Sequence, residues 1–424
     1  MNAARNPMNT DRSWFEQELL SRFTRYARVY TTSDRHSTEA PSTKRQLDLL
    51  RLLADELEAL GVGGTSLDEK GYLVARLPAR GEAAQGATPI GLMAHVDTSP
   101  DSSGEDVRPQ VHTSYDGTVI ELGEGVRLDP AEYPALLDYR GETIITSDGS
   151  TLLGADDKAG IAEIMTALAY LAEHPEVPHG PLEIIFTPDE EIGRGMDHFP
   201  AEELNARYCY TIDGGDEGTV EAECFNAYLV RVDFTGRVIH PGHARGKLVN
   251  AVSMAASFLS MIPRAETPEA TDGRYGFYCP LECAGDMGSA RVELIVRDFE
   301  MREVERRIEA LRRFAAAVEG AFPGGTAQVE AREQYKNMRE VLTEHPAVLE
   351  RAEEAIRETG IEPQRKIIRG GTDGARLTQM GIPTPNVFTG AQNMHGRHEW
   401  IALPAMVRAA RTVVNLARLW AEPA

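Results

Sequence analysis

Two adjacent glutamates, Glu190 and Glu191, follow an apolar run from Leu182 to Phe186. The chain repeats this arrangement of metal-competent side chains behind apolar stretches. His95-Val96-Asp97 follows Ile90 to Ala94, and Asp213-Gly214-Gly215 ends the run from Tyr208 to Ile212. Asp156-Asp157-Lys158 opens a helical pattern, and His395-Gly396 lies near the C-terminus. A hydrolytic metal ion takes imidazole nitrogen and carboxylate oxygen and keeps one position open for water. Two such ions, roughly 3.5–4 Å apart, need a carboxylate that bridges them, terminal ligands for each, and a separate base.

Taken singly, each group has a plainer role. His95 and Asp97 share one side of the chain if the strand continues, and a buried histidine beside a turn aspartate explains them as well. Asp156 and Asp157 suit a helix start, where acidic residues are favoured. Glu190 and Glu191 point to opposite sides if their segment is extended. One then holds metal while the other acts as general base; the plainer account is an exposed acidic turn. Asp213 before two glycines is a turn signal. In His395-Gly396-Arg397-His398-Glu399, which follows a loop-like stretch, one residue is expected to ligate.

The elements that must position these groups follow from apolar periodicity. Residues 12–26 and 43–60 read as helices, the second with Leu47, Leu50, Leu53, Leu57 and Leu60 at helical spacing. The stretch 79–87 reads as a flexible turn, and 101–150 as an irregular excursion near the site. Ile161, Ile164, Met165, Leu168 and Leu171 form a helical stripe behind Lys158. Apolar strands alternating with helices imply an α/β fold: a mixed, largely parallel sheet sandwiched by helices. In such sheets ligands gather beyond the carboxyl ends of the strands, where His95, Glu190, Glu191 and Asp213 fall.

The pattern changes near residue 224. Tyr228, Val230, Val232 and Phe234 alternate with polar partners, as do Val292, Leu294 and Val296, which reads as antiparallel pairing. Helices are expected at 250–262 and from Val304 to Val318. Residues 224–333 are therefore expected to form an inserted α+β lid or dimerisation domain. Residues 1–223 and 334–424 then make a discontinuous catalytic domain that ends in a helix from 404 to about 421.

At 424 residues, 42% hydrophobic and 26% charged, the chain has an ordinary globular composition and room for two domains. Its net charge of −22 argues against nucleic acid and anionic membrane surfaces as partners. Met1 to Phe23 lacks a signal-peptide pattern, and no run approaches the roughly 20 apolar residues that cross a bilayer. Cys209, Cys224, Cys279 and Cys283 fit reduced thiols, and a cytoplasmic location is expected.

The joint pattern resembles the peptidase T, or tripeptide aminopeptidase, branch of the dizinc metallopeptidases, a group that includes carboxypeptidases, dipeptidases and acetylornithine deacetylase-like amidohydrolases. The resemblance runs from about residue 14 to the C-terminus. It is carried by His95-Val96-Asp97-Thr98-Ser99-Pro100-Asp101, Leu153-Gly154-Ala155-Asp156-Asp157-Lys158-Ala159-Gly160 and Thr187-Pro188-Asp189-Glu190-Glu191-Ile192-Gly193. Asp213-Gly214-Gly215, His240-Pro241-Gly242, Tyr335-Lys336-Asn337-Met338, Arg369-Gly370-Gly371-Thr372-Asp373-Gly374 and His395-Gly396 complete it.

The resemblance implies two Zn2+ per subunit, with Co2+ or Mn2+ as substitutes. His95 and Asp213 would serve one ion, Glu191 and His395 the other, and Asp156 would bridge them. Asp157 would be neighbouring structure, Asp97 would orient His95, and Glu190 would be the general base. His240 resembles a histidine that polarises the scissile carbonyl, often across a dimer interface, and a homodimer is implied. Asn250, Arg297 and Arg369 resemble substrate-binding groups, with Arg376 a weaker candidate. The implied activity is release of the N-terminal residue from short peptides, tripeptides above all. The alternative is a dipeptidase or an N-acyl-amino-acid amidohydrolase on the same metals. His243 and the loop Gly390 to Met394 depart from the family pattern and bear on peptide preference.

Overall fold

The structure, a computed structural model, describes residues 11–81, 84 and 86–421. The expected turn at 79–87 and the N-terminal stretch 1–23 fall partly outside the described residues.

Long apolar runs build the central sheet. Leu182–Thr187 and Ile90–His95 are buried along their whole lengths, as strands covered on both faces must be. Eight strands lie in the order Gly63–Leu67, Leu73–Leu77, Leu182–Thr187, Ile90–His95, Tyr208–Gly214, Asn386–Phe388, Thr219–Cys224 and Gln364–Ile368. The four from Leu182–Thr187 to Asn386–Phe388 run parallel, and antiparallel strands flank them, so the sheet is mixed with a parallel centre. The helix Ala155–Glu173 is buried almost all round, packed against Ile90–His95 and the helices Arg12–Ala27 and Leu403–Leu419. Gly160 allows this close approach: a Cβ there would collide with the Ile212 carbonyl oxygen.

Two local expectations change. Residues 101–150 are not simply irregular. Gln110–His112 and Ile144–Thr146 join Trp400–Ala402 and Ala391–Gln392 in a second, antiparallel four-stranded sheet. Each of these strands has only two or three residues, too few to show a period in sequence. The helix expected from 43 begins at Gln46, because turn bonds such as Gln46 N–H to the Thr43 carbonyl occupy the start of that stretch.

The chain divides into two compact units: Met1–Ala222, Glu340–Lys366 and Thr372–Ala424, and separately Glu223–Arg339 with Ile367–Gly371. In the second unit the order is Phe277–Gly285, Ser289–Asp298, Asn226–Thr235 and Thr326–Tyr335, all antiparallel. Val230, Val232, Phe234, Val292, Leu294 and Val296 face the helices Ala251–Ser260 and Met301–Ala321 and form its core. The short segment 367–371 goes with this unit for a physical reason. Arg369 lies over the Phe225 and Phe277 rings and donates to the carbonyls of Thr271, Gly273 and Tyr275.

Candidate metal centre

His95 ends its strand and is 2% exposed. Its Nε2 lies 2.9 Å from Asp156 Oδ1 and 3.5 Å from Asp213 Oδ1. Asp213 comes from the carboxyl end of the neighbouring strand Tyr208–Gly214, as the parallel sheet requires. On its other side, His95 Nδ1 is 3.1 Å from the Asp97 carbonyl and 3.3 Å from Asp97 Oδ1, which fixes the ring plane. Asp156 stands just before the regular part of its helix, and the Asp156–Asp157 peptide bond is cis. Asp157 turns away from the cluster and accepts the backbone N–H groups of His95 and Gly160 at 3.2 Å each.

His395 lies in the connection between Ala391–Gln392 and Trp400–Ala402, at φ 64°. Its Nε2 is 3.2 Å from Asp156 Oδ2 and 3.0 Å from Glu191 Oε2. Asp156 thus offers one oxygen to each histidine. The side chains form two groups, His95 with Asp156 and Asp213, and Asp156 with Glu191 and His395, and within each group the donor atoms lie within 4.8 Å of one another.

The Glu190–Glu191 segment is not extended. Asp189 at φ 58° and Gly193 at φ 70° bracket a single 3-10 turn, Glu190–Ile192. The turn aims the backbone N–H groups of Glu190 and Glu191 at the Asp97 carboxylate, at 3.0 and 3.2 Å. Asp97 therefore ties the Glu turn to His95, and Glu191 meets His395 while Glu190 lies outside both donor groups.

The electrostatics reflect crowded carboxylates. Burial pushes Glu191 up to about 8, with the Asp156 charge adding to it. Burial likewise raises Asp213 to about 6, against the pull of His95. Asp156 goes the other way: burial opposes ionisation, but hydrogen bonds from His395 and His95 hold its carboxyl below the usual range. Burial disfavours the His395 cation, yet bonds to Asp156 and Glu191 raise it to about 11. Glu190 is pushed well above the carboxylate range by burial, with His95 opposing and Asp213, Asp373 and Glu191 adding. Divalent cations suit this donor set. Two imidazole nitrogens and three carboxylates are among the ligands zinc takes, and Glu191 Oε1 is buried with no hydrogen-bond partner among the described residues.

The remaining expected residues belong to the second unit or to other loops. His240 is exposed, accepts from Gly242 N–H at 3.1 Å, and has the His243 ring 5.6 Å away. Asn250 caps the helix Ala251–Ser260, accepting from Val252 and Ser253 N–H. Arg297 lies over the Tyr335 ring, and its buried Nε has no hydrogen-bond partner among the described residues. Arg369 also donates to the Thr271 hydroxyl, so its guanidinium is already engaged. Arg376 pairs with Asp197 at 3.4 Å. His398 packs near Tyr133, and Glu399 accepts the backbone N–H groups of Leu153, Gly154 and Asp156. Glu399 thus seats the Asp156 backbone, a role its sequence position did not reveal. Buried Asp373, which accepts from Thr187 Oγ1 at 2.6 Å, was likewise not singled out.

A sequence profile described as peptidase family M20/M25/M40 matches residues 147–419. A peptidase T of Geobacillus thermodenitrificans is 44% identical over 409 residues, 96% of this chain and 99% of that protein. Two solved structures share the fold. An aminopeptidase PepT from Bacillus cereus is 24% identical with a TM-score of 0.72, covering 96% of this chain and 99% of its own. A tripeptidase from Staphylococcus aureus is 22% identical with a TM-score of 0.75, covering 96% and 98%.

Proposed function

The chain belongs to peptidase family M20/M25/M40, on its peptidase T branch, and from that premise we propose that it is a tripeptide aminopeptidase that releases the N-terminal residue of short peptides. One observation carries the metal reading: the two oxygens of Asp156 reach separate histidines, at 2.9 and 3.2 Å. His95 and Asp213 complete one site, and Glu191 and His395 the other. When bound, two divalent cations, zinc in this reading with cobalt or manganese as substitutes, supply Lewis-acid polarisation of the scissile carbonyl and acidify the attacking water.

The chain's own groups then divide the work. Glu190 takes the proton from the attacking water and delivers it to the leaving amine. Desolvation raises its carboxyl above the ordinary carboxylate range, which makes its ionised form the better proton acceptor. Asp97 keeps the His95 imidazole turned by its Nδ1 contact. The second unit supplies the other substrate groups. His240 acts on the scissile carbonyl, and Asn250, Arg297 and Arg369 recognise the polar ends of the peptide. Arg297 suits a carboxylate because guanidinium presents a two-pronged donor.

The reading includes a cytoplasmic homodimer. It is supported by the outer strand Phe277–Gly285, whose last residues are exposed and where Leu281 is 54% exposed. Among the described residues no helix is long and apolar enough to cross a membrane.

Metal analysis of the purified protein should give about two ions per chain. A panel of di-, tri- and tetrapeptides and N-acyl amino acids should show tripeptides turned over fastest, with a free amino group required. Preference for N-acyl substrates would move the assignment to an amidohydrolase, and preference for dipeptides to a dipeptidase. Less than one ion per chain with no peptide hydrolysis would overturn the metal reading altogether.

A further inference from the structure

Residues 29–46 run past three of the segments that carry the donors. Lys158, two residues after Asp156, donates its Nζ to the Val29 carbonyl at 2.7 Å. Thr32 forms a β-bridge with Thr98, and Ser33 N–H donates to the Thr98 carbonyl at 3.2 Å, next to the His95–Asp97 turn. Arg194, at the end of the Glu190–Glu191 turn, donates to the carbonyls of Ser37 and Glu39 at 2.7 and 3.0 Å.

The tightest contact is at Asp189. Its Oδ2 accepts Ser42 N–H at 2.7 Å, and its Oδ1 accepts the Ser42 hydroxyl at 2.5 Å and Gln46 Nε2 at 2.7 Å. Gln46 Oε1 accepts the Asp189 backbone N–H at 3.1 Å, closing a ring. Asp189 is 2% exposed, Ser42 7% and Gln46 0%. Asp189 also sits at φ 58°, a conformation that glycine adopts without a side-chain clash. Burying a carboxylate is costly without full hydrogen bonding, and the backbone turn alone would be better served by glycine. The side chain must therefore do something the turn does not.

Resting on the metal reading above, we propose that residues 29–46 are a positioning strap for the metal centre and that Asp189 is its anchor. The strap holds the spacing between the His95–Asp97 turn and the Glu190–Glu191 turn. Asp189 is a positioning residue. Its carboxylate, triangulated by three donors, sets the direction in which the next two residues leave the strand, and so where Glu191 meets His395 and where Glu190 stands.

The test uses Asp189→Gly, which tolerates the left-handed turn but deletes the anchor. Zn2+ is titrated into the metal-free protein against a chelating dye. The step assigned to Glu191 and His395 should weaken about 10–100-fold while the other step changes little. With saturating metal, kcat for a tripeptide should fall by a similar factor while KM stays nearly constant, and Asp189→Asn, which keeps one acceptor oxygen, should recover part of both losses. If Asp189→Gly does not fold by circular dichroism, Ser42→Ala carries the same titration, with about a tenfold loss expected. A folded Asp189→Gly or Ser42→Ala protein that loads both ions like the wild type would overturn the strap alone. A wild type that binds no Zn2+ would overturn the metal reading, and the strap with it.

Discussion

The polar residues of the first unit and those of the second differ in what already satisfies them. His95, Asp156, Glu191, Asp213 and His395 point at one another, with three carboxylates crowded together and one glutamate oxygen left without a hydrogen-bond partner among the described residues. In the second unit Asn250 caps a helix and Arg369 is taken up by three carbonyls and a hydroxyl. Convergence of like charges around a gap is costly unless something else neutralises it. Local saturation of a side chain, by contrast, is what a folded scaffold needs in any case. The first pattern suits bound cations, which would take the place of the protons that the histidines and carboxylates otherwise hold; the second leaves a scaffold role and a substrate role both standing, and mutation separates them.

The contrast can be broken at its strongest point first. Glu190→Ala should lose about 10²–10⁴ in kcat with metal content unchanged. Normal turnover in that variant would remove Glu190 as the base. Asp97→Asn should weaken metal binding or activity about 10–100-fold, because it turns the His95 ring and loosens the Glu190–Glu191 turn together. Zinc titration that is indistinguishable from wild type would mean the backbone holds His95 unaided.

The pH dependence sharpens the same contrast. Without metal, His395 is raised to about 11 and Glu191 to about 8, so both hold protons at pH 7 that a cation must displace. Asp213, raised to about 6, is the first of these to give up its proton as pH rises. Raised values mean the protonated form persists to higher pH. Apparent metal affinity should therefore climb from about pH 6 through pH 8 and on towards pH 11, and fall on acidification. Zn2+ added in weak buffer with a pH indicator should release protons at pH 7, and an unchanged indicator would contradict this.

The second unit should answer more softly. Arg369→Lys is expected to cost about 1–3 kcal/mol of stability, read as a lower Tm, because an ammonium cannot serve the same acceptors. A raised KM beside that loss is expected from the proposed role at the peptide's end, and an unchanged KM would leave Arg369 a scaffold residue alone. Asn250→Ala should cost about 1 kcal/mol as a lost helix cap, and Asn250→Asp should restore it. A KM effect that Asp does not restore would place Asn250 on the substrate.

Much of the fold was legible because it rests on long signals. The buried strands Leu182–Thr187 and Ile90–His95 are mostly apolar runs, interrupted only by Glu183 and closed by Thr187 and His95, and the alternation Tyr228 to Phe234 matches the antiparallel second unit. What escaped depended on short elements and distant partners. Gln110–His112 and Ile144–Thr146 are too brief to show a period. The 3-10 turn at Glu190 depends on Asp189, whose partners Ser42 and Gln46 lie more than 140 positions away. Glu399 reads as one of several possible ligands in the stretch His395 to Glu399, and only the fold shows it gripping the amides of Leu153, Gly154 and Asp156 instead. The donor types were visible in the residues, but the choice of Asp156 over Asp157, of Glu191 over Glu190 and of His395 within its cluster rests on the family resemblance, because neighbours of one chemical type carry no signal in sequence that separates them.

His95 is 2% exposed, whereas His395 is 42% exposed. In the proposed enzyme, His95 would hold its ion in the enclosed part of the site and His395 would hold the other where solvent reaches. Exchange should then be ordered, with the inner berth filled first and the outer one emptied first. Brief dialysis against a mild chelator, followed by a different divalent ion, would yield a hybrid enzyme carrying two kinds of metal.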